Sequence, residues 1–176
     1  MTVTCAADRV LITAHVASGA ALGRLVRRPM PALLLGLASH YLLDVLPHWG
    51  RAGADTPTGM DDAALRVAVG DGLVGLTALA AVAAAAPAAV RLPVLAGVAG
   101  ACLPDLDKPG RLFFGRSPWP ERHDVWHARI QTREAPGLLR RDALTAVLLA
   151  AAVVIGLRQE RSGLSEAPAV VRERGG

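Results

Sequence analysis

Four long apolar stretches, built from Ala, Leu, Val and Gly and punctuated by Pro and Arg, dominate this chain. The first runs from Val10 to Val26 and ends at Arg27-Arg28-Pro29. The second, Ala32 to Leu46, is stopped by Pro47. The third, Leu65 to Val90, resumes after Arg91 as Leu92 to Leu103, and the last covers Ala143 to Leu157. None alternates apolar and polar residues as a half-buried strand does, and each has the length of a helix. The pattern predicts an all-α fold of four or five helices without internal repeats.

Of the 176 residues, 52% are apolar and 19% charged. Soluble domains average about 45–50% and about 25%. Four apolar blocks leave little polar surface to solvate a globule, so the expected architecture is a small membrane-embedded bundle. Residues 1–160 form its single domain and 161–176 a charged, disordered tail. Leu65–Val90 is the strongest spanning candidate. Ala32–Leu46 would cover about 22 Å of a hydrocarbon core of roughly 30 Å, so spanning there requires tilt or a thinned bilayer. The first stretch lacks an upstream basic region and a cleavage site, and is not read as a signal peptide. A multi-pass membrane protein follows, with lipids as its surroundings. A soluble bundle with an Ala-rich core is the competing architecture. Residues 51–58 read as a Gly/Pro/Asp loop, and Asp61-Asp62 as a helix start. Residues 104–136, with most of the aromatic residues, read as a polar interfacial segment.

The net charge is +4, from 19 basic and 15 acidic residues. The arginines sit at the ends of apolar blocks, as headgroup contacts require, and are not interleaved with base-stacking aromatics. Nucleic acid is excluded as a partner on that ground. Cys5 and Cys102 cannot make a disulfide framework. No G-x-S-x-G is present, and neither cysteine lies by a histidine motif, so Ser and Cys nucleophiles find no support.

The five histidines carry the chemistry. His40, Asp44 and His48 stand in H-x3-D-x3-H; His40 and Asp44 share a helix face, and Pro47 lets His48 leave the helix and turn back. Imidazole and carboxylate together suit a divalent metal. Asp105 and Asp107, in Leu-Pro-Asp-Leu-Asp, can converge on a cation from a turn. His123 and His127 are one helical turn apart, the ligand spacing of zincins, but Asp124 stands where a zincin needs glutamate. Asp71 lies inside the longest apolar run, where an unpartnered carboxylate is costly. His15 lies in the first run. Each of these motifs also has an ordinary reading: a packed His–Asp pair, a solvated turn, an exposed helix start.

At these residues the chain resembles a family of bacterial membrane-bound metal-dependent hydrolases. The shared pattern is an early histidine (His15), H-x3-D-x2-P-H (His40, Asp44, Pro47, His48), a Pro-Asp-x-Asp turn (Pro104 to Asp107) and a late histidine pair (His123, His127). It covers Val10 to Leu157. The chain departs at the last element: many members carry H-R-G-x-T-H-S, whereas three residues separate His123 from His127 and no Thr-His-Ser occurs. The resemblance implies a helical enzyme of the cell inner membrane in which metal-activated water attacks an ester or phosphoester. A distant similarity in ligand style to zinc-dependent phospholipase C enzymes points to a lipid or phosphoester substrate.

The leading expectation is therefore a metal-dependent hydrolase binding one or two divalent ions, zinc by its donor set. The ligand candidates are His15, His40, Asp44, His48, Asp71, Asp105, His123 and His127. Asp107 and Asp124 are the candidate proton acceptors, with Arg122 or Arg129 placed to hold an anionic group. Two other readings compete: a non-catalytic membrane protein stapled by His–Asp pairs or metal, and an ion or proton transporter.

Overall fold

The computed structural model describes residues 11–50, 61–131, 133 and 135–166. Among these the chain is all-helical, with seven α-helices: α1 (Ile12–Val26), α2 (Pro29–Val45), α3 (Asp62–Ala85), α4 (Ala88–Cys102), α5 (Asp107–Phe114), α6 (Glu121–Ile130) and α7 (Leu139–Glu166). Short 3-10 turns at Pro104–Leu106 and Pro136–Leu138 precede α5 and α7. The all-α expectation holds, but the helix count is higher than four or five. The segment expected to be merely interfacial contributes α5 and α6. The 51–58 loop and Cys5 lie outside the described residues. So do positions 167–176 of the expected tail, whose first residues continue α7 to Glu166.

Local chemistry explains the boundaries. Pro29 opens α2, where a missing N–H costs nothing, and Pro47 stops its continuation. The Asp61 side chain accepts the Ala64 N–H at 2.7 Å and caps α3. The run expected to continue to Val90 breaks earlier, at Ala86-Pro87. The residue before a proline is driven out of the helical region, and Ala86 is extended at φ −63°, ψ 124°. Gly115, at φ 67°, ends α5 in the left-handed conformation that glycine tolerates best.

Helix α4 is the centre of the fold, packed against both α1 and α2, which also meet each other. The approach is close enough to exclude a single side-chain carbon. A β-carbon on Gly100 would lie 2.9 Å from the Leu33 carbonyl carbon and 3.0 Å from the Leu37 nitrogen. Small residues at helix contacts permit this backbone-to-backbone packing. Val16, Ala20, Val82, Val90, Val94, Val98, Val153 and Leu157 fill the apolar core where α1, α3, α4 and α7 meet.

The expected multi-pass arrangement is not supported. Among the described residues α3, with 24 residues, alone has the length and apolarity to cross a membrane. A second span exists only if α4 and the segment Pro104–Phe114, bent from it by 56°, count as one. Helices α1 and α2, at 15 and 17 residues, fall short, and the apolar middle of α7 is bracketed by arginines at both ends. Nonetheless α3 leaves most of its surface uncovered: Leu73 is 62% and Leu76 64% exposed.

Candidate metal centre

The glycine-mediated approach of α1, α4 and α2 brings one buried histidine from each outer helix to the C-terminal end of α4. His15 of α1 and His40 of α2 stack with ring centroids 4.2 Å apart, and both are fully buried. Asp44, one turn after His40 as the i, i+4 spacing predicts, is also fully buried. The 3-10 turn after α4 adds Asp105. Helix α6 adds His127 and, one turn later, Gln131.

Asp44 is the hub. Its Oδ2 accepts hydrogen bonds from His127 Nε2 and Gln131 Nε2, each at 2.7 Å, and lies 3.1 Å from His40 Nε2. The Nε2 atoms of His40 and His127 are 3.0 Å apart. Three ligand atoms thus form a triangle with edges of 2.7, 3.0 and 3.1 Å. A tetrahedral zinc with bonds near 2.1 Å holds its ligand atoms roughly 3.4 Å apart, so a small outward adjustment accommodates the ion. Asp105 stands behind them, its Oδ1 3.8 Å from His40 Nε2 and its Oδ2 3.9 Å from His15 Nε2.

The hydrogen-bond roles favour a cation. His40 Nδ1–H donates to the Ala101 carbonyl at 2.8 Å. In the neutral ring this directs the Nε2 lone pair at Asp44 and His127, the arrangement by which an outer carbonyl orients a metal-binding imidazole. Both ring nitrogens of His15 and Oδ1 of Asp44 are buried without a hydrogen-bond partner among the described residues. Orphaned buried polar atoms are rare, and here they face one another. Burial pushes the His15 imidazole below its ordinary pKa, against the pull of Asp44, which keeps it neutral and able to ligate. Burial alone would raise the Asp44 carboxyl, but the imidazoles of His127, His15 and His40 outweigh it and hold the group well below the carboxylate range. Three overlapping sets of donors fit an ion: His40, Asp44 and His127; His15, His40 and Asp105; and Asp105, Asp107 and His127.

Five of the eight expected ligands therefore meet, namely His15, His40, Asp44, Asp105 and His127, and Asp107 adjoins them. The remaining three go elsewhere. His48 Nδ1–H donates to the Leu46 carbonyl at 2.7 Å, and its backbone pairs with Arg133 and Ala135. This pairing directs the segment after Pro47 toward the start of α7, where Asp142 accepts the Trp49 N–H. His123 pairs with the Tyr41 hydroxyl at 3.2 Å and is partly exposed, so His127, not His123, completes the site with His40 and Asp44. Asp71 accepts the Ile12 N–H at 2.5 Å and the Thr13 hydroxyl at 2.6 Å, capping α1 from the neighbouring helix. Of the glycines around Asp71, only Gly75 meets a neighbour among the described residues. Asp124, expected as a proton acceptor, is held by Arg111 at 2.5 Å and Ser117 at 3.2 Å, and ties α6 to α5.

Two members of the site escaped the sequence reading. Gln131 had a visible signal, since His123, His127 and Gln131 repeat every four residues along one helix face. Lys108 directly follows Asp107 and contacts Asp105. Nothing in the sequence distinguishes it from a solvated surface lysine.

No known protein family, curated protein or solved structure matches this chain.

The Asp71 placement makes a prediction. Asp71→Asn should lower stability by about 1.5–3 kcal/mol, the range for a hydrogen bond to a charged group, while metal content stays unchanged. Denaturant melts read beside metal analysis check it. A loss of metal at unchanged stability would return Asp71 to the centre.

Proposed function

We propose that this protein is a membrane-embedded metal-dependent hydrolase acting on a lipid or phosphoester substrate. The observation that carries the reading is the convergence of His15, His40, Asp44, Asp105 and His127 from four separate elements, with lone pairs left unpartnered. The donors are imidazole nitrogens and carboxylate oxygens, which suits zinc. A bound ion would polarise the scissile group and make water acidic enough to act near neutral pH.

The chain's own residues supply the rest. Gln131 and His127 fix the orientation of Asp44, and Ala101 fixes the tautomer of His40. Among the described residues Asp107 Oδ1 is buried without a hydrogen-bond partner beside Asp105 and His127, and is positioned to take a proton from water. His123 and Tyr41 border the outer side of His127. The bilayer reading rests on the long, largely uncovered apolar surface of α3, and Phe113 and Phe114 at the end of α5 are 73% and 78% exposed. Aromatic side chains beside a charged helix suit a headgroup interface. They would place a lipid substrate near the Asp105–Asp107 turn.

The full burial of His15, His40 and Asp44 favours a second reading, a metal staple that joins helices without turnover. Detergent-purified protein, stripped with chelator and reloaded with zinc, separates the two. Hydrolysis of a carboxylate-ester or phosphodiester panel should appear only after reloading. It should fall in Asp107→Asn while metal remains bound. Metal-loaded protein inert on every ester leaves the staple. Hydrolysis untouched by chelation defeats both.

A further inference from the structure

We infer that Lys108 supplies a permanent positive charge to the centre, so that a single divalent ion binds and the ammonium holds the place a second would take. The inference rests on the metal-binding reading above. Lys108 lies in the first turn of α5, and its ammonium contacts Asp105 Oδ1 and lies 3.8 Å from Asp107 Oδ1. The same Asp105 oxygen is 3.8 Å from His40 Nε2 and 4.0 Å from His127 Nε2. The ammonium therefore holds the carboxylate oxygen that faces both imidazoles.

Geometry and charge agree on the count. Asp105, Asp107 and His127 offer ligand atoms within 4.8 Å of one another, a donor set adjoining the His40–Asp44–His127 triangle. An ion bound in that set through Asp105 Oδ1 would share that oxygen with the ammonium, which also lies 3.8 Å from Asp107 Oδ1. Asp44, Asp105 and Asp107 bring three negative charges, and Lys108 returns one positive. Asp124 adds nothing to this balance because Arg111 neutralises it, and Asp71 is engaged at the start of α1. Two negative charges remain, which one divalent ion cancels. A second ion would leave the buried cluster strongly positive, and unbalanced buried charge is costly. An ammonium also differs from an ion in being covalently attached, so chelators cannot remove it.

The full-length protein in detergent, stripped and then loaded with excess zinc before desalting, provides the test. Wild type should retain one zinc per chain. Lys108→Met, which keeps an unbranched side chain one atom shorter and without the charge, should retain a second. Lys108→Arg should return to one. Two zinc ions in wild type, or only one in a folded Lys108→Met, would overturn the inference while leaving the metal centre itself intact. No zinc in wild type would instead overturn the metal-binding reading, and this inference with it. Manganese-loaded wild type gives a count that does not depend on any variant folding. Its electron paramagnetic resonance spectrum should be that of an isolated ion, and the signature of an exchange-coupled pair would refute the single-ion centre.

Discussion

Asp44→Asn is expected to weaken metal binding by about a hundred-fold or more, beyond the roughly 10–100-fold typical of residues that only orient a ligand. Asp44 lies within 3.1 Å of His40 Nε2 and 2.7 Å of His127 Nε2, so it is at once a ligand candidate and the group that aligns both imidazoles. Asparagine preserves the shape but removes the charge, and its amide can turn N–H groups toward lone pairs that need a cation. Gln131 would then donate to a neutral oxygen or to none. Competition with a zinc-chelating dye measures the loss, and circular dichroism verifies that the helices remain. Gln131→Ala is the graded comparison. It removes one 2.7 Å hydrogen bond to Asp44 and leaves every ligand atom in place. Its effect should fall between wild type and Asp44→Asn, at about ten-fold. Zinc affinity unchanged in Asp44→Asn would remove Asp44 from the centre and the His40–Asp44–His127 triangle with it.

The reach of sequence reasoning can be judged from the same residues. His40 and Asp44 were legible because helical periodicity alone puts i and i+4 on one face. His15 was legible as a histidine inside an apolar run, Asp105 as one of two carboxylates on a turn, and His127 by its one-turn spacing from His123. Their meeting was not, because it depends on how closely α1, α4 and α2 approach. The choice between His123 and His127 is likewise set by the docking of α6. His48 was misplaced because Pro47 frees the chain without dictating its direction, and backbone pairing with Arg133 and Ala135 decided it. Asp71 and Asp124 were misread for a different reason. A carboxylate in an apolar run must find a partner, but that partner can be the start of another helix or an arginine as readily as a metal. Lys108 is the converse: a charged residue that looks solvated until the fold folds it over Asp105. The helix boundary at Pro87 was readable from pre-proline sterics, whereas the apolar character of the run, which continues to Val90, argued against it.

Gly97→Ala should be among the most disruptive single-methyl additions in this chain. Its β-carbon would collide with the Gly19 carbonyl, lying 3.1 Å from the carbonyl carbon and 3.2 Å from the Gly23 nitrogen. All of these are backbone atoms, so no side chain can rotate away, and α1 and α4 must separate. Overpacking of a well-fitted core costs about 1–3 kcal/mol or more, which here exceeds the gain of up to about 1 kcal/mol from replacing a helical glycine by alanine. Gly72→Ala isolates that gain, because nothing lies within 4 Å of its added carbon. The two substitutions are the same chemical change in helices, and the structure assigns them opposite signs. Separation of α1 from α4 also moves His15 away from His40, whose Nδ1 is anchored to Ala101 on α4. Gly97→Ala should therefore lose metal affinity together with stability, while Gly72→Ala gains stability and keeps its metal. Parallel melts and zinc titrations of both variants in one detergent check this. Equal stability changes would show that α1 and α4 do not meet through Gly19 and Gly97. The close approach that assembles the centre would then be absent.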